Sequence, residues 1–102
     1  MIKYSELELL ELFYEEPKSL TDDELGQYKI SRIIDEFELI LYLDVYENDC
    51  SVLLTYNNTD LVSIDIKNVE ELSKKDNILY ICDAKKVRAK IYFGKNFQIE
   101  CE

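Results

Sequence analysis

At 102 residues and 47% hydrophobic content, with two glycines and one proline, the chain has no evident linker, repeat or low-complexity tract, and one domain over residues 1–102 is expected. It carries 22 acids against 12 bases, net −10, a field that disfavours direct contact with nucleic-acid phosphates. It has no histidine, which removes Ser-His-Asp and Cys-His catalysis and imidazole metal sites.

The longest apolar run, Leu39–Leu43, is five residues, short of the roughly 18 that a spanning helix needs, so no membrane span is expected. Glu6, Glu8 and Glu11 interrupt the apolar start where a secretion signal would be uncharged, so the expected compartment is the cytoplasm. Three widely spaced cysteines, Cys50, Cys82 and Cys101, do not make a paired extracellular framework. Cys82, inside the run ILYIC, is expected in the core, with Cys50 and Cys101 nearer the surface.

The first element is a helix over Tyr4–Glu16. Ser5 with Glu8 three residues on forms a capping box, and Pro17 disfavours helical geometry at Glu16. Leu7, Leu9, Leu10, Leu12, Phe13 and Tyr14 span a wide arc of the wheel, which predicts a well-packed helix. Glu8, Glu11 and Glu15 line the remaining face with no base in the helix to offset them. A connector, Lys18–Gly26, follows, with a second possible capping box at Thr21–Glu24 and Gly26 as a cap.

From Gln27 the period changes to two. Tyr28, Ile30 and Ile34 mark a strand whose apolar face Arg32 interrupts. Glu36–Glu47 is the clearest strand: Phe37, Leu39, Leu41, Leu43 and Val45 alternate with Glu36, Glu38, Ile40, Tyr42, Asp44 and Tyr46. Strands over Ser51–Tyr56 and Leu61–Ile66 flank an Asn57-Asn58 turn. Asn68–Asn77 reads as a polar connection with a helical turn near Val69–Leu72. Strands over Ile78–Asp83, Lys86–Phe93 and Asn96–Cys101 complete the chain. The expected fold is α+β, an N-terminal helix packed on one face of a six- or seven-stranded antiparallel meander sheet.

The charge is lopsided. Residues 1–50 hold 14 acids and four bases; residues 51–102 hold eight of each. A pole of that kind points to a basic partner. The candidate binding residues are Glu8, Glu11, Glu15, Asp22, Asp23 and Glu24, together with the Glu38, Tyr42, Asp44 and Tyr46 face of the central strand. Tyrosine there supplies contact area at small entropic cost and the acids meet Arg or Lys. The competing expectation is that the helix covers Tyr42 and Tyr46. Lys85, Lys86, Arg88 and Lys90 form a basic strand face, which cross-strand acids suffice to explain. One constellation has an enzymatic form: Asp65-Ile66-Lys67, with Asp60, Asp49 or Asp44 upstream, matches the D-x-K of metal-dependent nucleases. Asp65 and Lys67 are also simply the outward positions of a strand whose inward set is Val62, Ile64 and Ile66, which is the preferred reading. No catalytic residues, metal site or cofactor are therefore assigned.

In size, acidic first half, lack of catalytic machinery and helix-then-meander pattern, the chain resembles small acidic immunity proteins of bacterial contact-dependent growth inhibition systems. The resemblance implies a one-to-one complex with a nuclease toxin domain, an RNase by preference, whose basic cleft the acidic surface fills. A phage-encoded inhibitor of a host nucleic-acid enzyme, either a nucleic-acid mimic or anti-CRISPR-like, uses the same physics. The neutral second half weighs against it.

Overall fold

A computed structural model describes residues 1–20 and 25–102 of the chain. Within them lie a helix, α1 (Glu6–Phe13), and nine strands: β1 (Lys18–Ser19), β2 (Gln27–Ile34), β3 (Phe37–Asp44), β4 (Asp49–Tyr56), β5 (Thr59–Ile66), β6 (Glu71–Lys75), β7 (Ile78–Cys82), β8 (Val87–Phe93) and β9 (Phe97–Cys101). β1 to β5 form one antiparallel sheet in sequence order, and β6 to β9 form a second. Tight turns between strands fall on Asp35, Asn57-Asn58 and Asp76, all at positive φ between 48° and 64°. Asp and Asn tolerate that region because their short side chains bond locally.

The fold therefore departs from the single sheet with a helix on its face. Alternation says that each strand has one apolar side but not what covers it. An eight-residue helix is about 12 Å long, too short to roof five strands, four of which run to about 27 Å. The second sheet does most of the covering. Leu39, Leu41, Leu43 and Val52 of the first sheet share one buried cluster with Leu72, Leu79, Ile81, Ala89, Ile91 and Phe93 of the second.

Backbone hydrogen bonds stitch the two sheets where β3 ends and β6 begins. Ile2 N–H donates to Val45 O, Lys3 N–H to Glu70 O, and Leu72 N–H to Lys3 O, each at 2.9 Å. Lys3 thereby forms a parallel bridge with Glu71. Beside it, Val69 N–H donates to Asn48 O and Asn48 Nδ2 to Val69 O, both at 2.8 Å. The helical turn expected at Val69–Leu72 is not formed: these backbone groups pair across the seam, and β6 begins at Glu71.

α1 closes the side of the core between β2 and β6. Ser5 Oγ accepts from Glu8 N–H at 3.3 Å, the expected first half of the capping box. The Glu8 carboxylate accepts from Lys74 N–H at 3.3 Å, which ties the helix to β6. The helix ends at Phe13, short of Glu16. Tyr14 turns left-handed, φ 64°, with its N–H on Leu10 O at 2.8 Å, and this rather than Pro17 stops the helix. Only Leu9, Leu12 and Phe13 are buried, so half of the apolar arc is left uncovered.

Arg32 explains its own interruption of β2. Its Nη1 donates to Leu12 O at 2.8 Å, and its guanidinium lies 4.2 Å from the Tyr14 ring centre and 5.8 Å from that of Phe93. A cation at the negative end of the helix, stacked on aromatics, fixes the helix terminus. Phe13 in turn meets Phe93 edge-on at 5.0 Å.

Two cysteines exchange places relative to expectation. Cys50 is buried, Cys82 half-buried and Cys101 exposed. β4 begins at Asp49, so the inward parity of Val52 extends back to Cys50, whereas Leu79 and Ile81 take the inward side of β7 and turn Cys82 outward. Among the described residues no helix is long and apolar enough to cross a membrane.

Two consequences are measurable. Arg32→Ala removes a charge-assisted hydrogen bond and two ring contacts, and is expected to cost about 2 kcal/mol, lowering Tm by roughly 10 °C in a thermal melt. Burial pushes the Cys50 thiol from 9.0 up to about 12. Because the folded-state value is raised, stability is full below pH 9.0 and is lost as pH rises toward 12. Above that lower bound the unfolding free energy from urea titrations should fall by up to about 1.4 kcal/mol per pH unit, and Cys50→Ala should flatten the slope.

Candidate functional site

With the inner faces of both sheets committed to the core, polar chemistry goes outward. The outer face of the first sheet carries Glu38, Ile40, Tyr42 and Asp44 on β3, flanked by Lys29 and Ser31 on β2 and by Asp49, Ser51 and Leu53 on β4. The helix lies at the rim, so Tyr42 is not beneath it. Tyr42 stands between Lys29 and Ser51 in register, with Lys29 Nζ 5.9 Å above its ring.

The register brings carboxylates together at one end of this face. Asp44 and Asp49 are direct cross-strand partners, and Asp65 sits opposite Ser51 on the next strand. Like charges placed so repel unless a cation intervenes. Lys67 does so: its Nζ lies 3.0 Å from Asp49 Oδ2. That hydrogen bond, then the charge of Asp49 and the smaller fields of Asp65 and Asp44, raise the lysine above its ordinary value. Ser51 Oγ donates to Asp65 Oδ1 at 2.6 Å, and Gln27 Nε2 to Asp44 Oδ2 at 3.3 Å. A depression of about 260 Å³ opens there, lined by Leu20, Gln27, Tyr42, Asp44, Asp49 and Ser51.

Tyr46 is elsewhere. β3 ends at Asp44, and the Tyr46 ring lies over Gly26, where a Cβ would stand 2.6 Å from Tyr46 Cδ2. Gly26 has φ 67°, so close approach and backbone conformation both require glycine. Tyr46 lines a second depression, of about 390 Å³, with Met1, Tyr4 and Tyr28. The structure thus separates Tyr46 from Glu38, Tyr42 and Asp44.

The helix acids also divide. Glu11 is exposed. Glu8 faces β6, and Glu15 faces β2, where Oε1 accepts from Ser31 N–H at 2.8 Å and Oε2 is 3.8 Å from Lys18 Nζ. Asp22, Asp23 and Glu24, with the second capping box, lie outside the described residues. In the sequence Asp49 stands only as a possible upstream carboxylate of the D-x-K constellation and not as part of the acidic face, because Asn48-Asp49 also reads as a turn. Carrying the Val52 parity back two residues beyond Cys50 would have shown it outward, across from Asp44.

Charge follows the division into sheets. Residues 1–66, which hold α1 and the first sheet, contain 16 acids and four bases; residues 67–102 contain six acids and eight bases. On the second sheet Asp83 accepts from the Lys85 and Lys86 N–H groups at 2.7 and 2.8 Å, and Arg88 Nη1 is 3.5 Å from it. The two backbone donors, followed by Arg88, hold the Asp83 carboxyl below the usual range. The basic strand face is therefore partly neutralised within its own sheet.

Among the described residues, the ionisable groups displaced from their ordinary values move away from neutrality. Burial raises Tyr4, Cys50, Cys82 and Tyr92, Asp49 raises Lys67, and Asp83 is lowered. General acid–base chemistry needs the opposite displacement. Among the described residues no group of three or more Cys, Asp or Glu side chains could hold a metal ion. Asp65 pairs with Ser51 and Lys67 with Asp49.

No protein-family model matches the sequence, and no curated protein does. Among solved structures, a chain of the contact-dependent growth inhibition toxin–immunity protein complex from Klebsiella pneumoniae 342 matches with a TM-score of 0.79. The match covers 96% of this chain and 92% of that one at 20% identity. The two chains share a fold.

Incubation of the purified chain with Mg²⁺ or Mn²⁺ and labelled RNA or DNA is expected to leave both intact. Cleavage that Asp65→Ala abolishes would restore the nuclease reading of the D-x-K positions.

Proposed function

We propose that this chain is an immunity protein that binds a cognate growth-inhibition toxin and blocks it with an acidic surface. The observation that carries the proposal is the fold shared, over nearly its whole length, with a chain of a toxin–immunity complex. Two kinds of protein meet in such a complex. The chemistry of this chain favours the inhibitor, since it has no histidine and, among the described residues, the displaced ionisable groups lie away from neutrality.

The charge supplies the partner's character. A nuclease toxin must hold phosphates against Lys and Arg, and a surface with 16 acids to four bases in its first 66 residues competes for the same cations. Asp44, Asp49 and Tyr42 at the rim of the first depression, with Glu38 and Glu11, are the groups we assign to that contact, together with Asp22, Asp23 and Glu24. Glu8 and Glu15 add to the field while fastening the helix. The complex is one-to-one and forms in the cytoplasm, where a nuclease toxin acts.

Co-expression in bacteria with the growth-inhibition toxin domain of the source strain tests the role: growth should be restored. Arrest of growth by this chain alone would overturn it. In stopped-flow mixing, association should reach the order of 10⁸ M⁻¹s⁻¹ at low salt and fall at least about tenfold near 1 M salt, where the screening length is about 3 Å. A rate independent of salt would remove the electrostatic mechanism.

A further inference from the structure

α1 presents to solvent a face that its sequence does not explain as packing. Leu7 is 65% exposed, Leu10 37% and Tyr14 72%. The spacing of Leu7 and Leu10 places them on the side of the helix away from the buried Leu9, Leu12 and Phe13, and Tyr14 is exposed at the helix end as its C-terminal cap. Scattered apolar residues on a surface are ordinary, whereas several large ones gathered on one short element make a patch of the kind that partners cover.

Tyr14 is also held. Its backbone is fixed in the left-handed region, φ 64°, by the hydrogen bond to Leu10 O at 2.8 Å. Its ring lies 4.2 Å from the Arg32 guanidinium, and Arg32 is itself anchored on Leu12 O. A left-handed residue that ends a helix is ordinarily glycine, because any side chain there is strained. A large aromatic ring kept in that position, exposed and immobilised, has already lost the freedom that binding would otherwise remove. Glu6 and Glu11 are exposed beside the patch, and the helix contains no base.

We infer that Leu7, Leu10 and Tyr14 form the docking ridge by which this chain seats in an apolar groove of its toxin, with Lys or Arg on the groove's rim meeting Glu6 and Glu11. The inference rests on the immunity reading and adds the part of the surface that carries the affinity. The occupant follows from charge complementarity: an acidic rim repels a second copy of the same helix and attracts a basic one. The sheet face with Asp44 and Asp49 then steers approach, while the ridge slows departure.

The test uses the full chain and each growth-inhibition toxin domain of the source strain, purified individually, in biolayer interferometry. Tyr14→Gly removes the ring and relieves the left-handed strain, so the melting curve should be kept. Its affinity should fall about thirtyfold, in the off-rate. Tyr14→Phe should retain most of the affinity, and Leu7→Ser, at a site that supports no core contact, should weaken binding at least about tenfold. Glu11→Lys should slow association. Wild-type binding with Tyr14→Gly and Leu7→Ser unchanged would overturn the ridge and leave the immunity role standing. Failure of the wild-type chain to bind any of the toxin domains would overturn the role and the ridge together. A wild-type dimer in sedimentation that Tyr14→Gly dissolves would assign the ridge to a second copy and overturn the toxin groove.

Discussion

The structure depends on one constraint: the nine short strands among the described residues, most with a single apolar side, must bury those sides against something other than water. The helix is too small for the task, so the two meanders face each other over a common core. Fully buried positions such as Leu39, Leu41, Ile81 and Ile91 come from both sheets. At roughly 25 cal/mol per Å² of apolar surface removed from water, this burial is the largest favourable contribution available to the chain. The N-terminal residues are drawn into it. Ile2 and Lys3 lie across the seam, and their backbone bonds to Val45, Glu70 and Leu72 join two sheets that share no strand.

Pairing the inner faces leaves the outer faces to electrostatics. The sequence boundary between the sheets, near residue 67, is also the boundary between a strongly acidic and a slightly basic part of the chain. Nothing in folding demands that coincidence. Acids gathered on one layer repel one another; Asp44 faces Asp49 across the strands, and Lys67 pairs with Asp49. Surface pairs of this kind contribute little to stability, and the proposed function uses the field for steering a basic partner.

The helix has two functions on two sides. Inward, Leu9, Leu12 and Phe13 plug the gap between β2 and β6, and Glu8, Glu15 and Arg32 hold it there through backbone donors and acceptors. Three charged side chains thus act mainly as fasteners. Outward, the same helix keeps an apolar patch that the core does not use. A helix eight residues long has little intrinsic stability, so these anchors are what make its outer face a rigid surface.

Much of this was legible in the chain. The alternation over Phe37–Asp44, the Asn57-Asn58 turn, the inward sets of β5 and β8 and the Ser5 cap follow from local periodicity and local hydrogen bonding, which neighbouring residues decide among themselves. The lopsided charge needed only counting. What no local rule contains is which apolar face meets which. That choice split the strands into two sheets, turned Val69–Leu72 from an expected helical turn into seam and strand, and left Leu7, Leu10 and Tyr14 in solvent. It also made Arg32 a helix anchor and placed Asp49 opposite Asp44. Periodicity is a property of one segment, whereas burial is a property of pairs of segments far apart in sequence, and only their packing decides it.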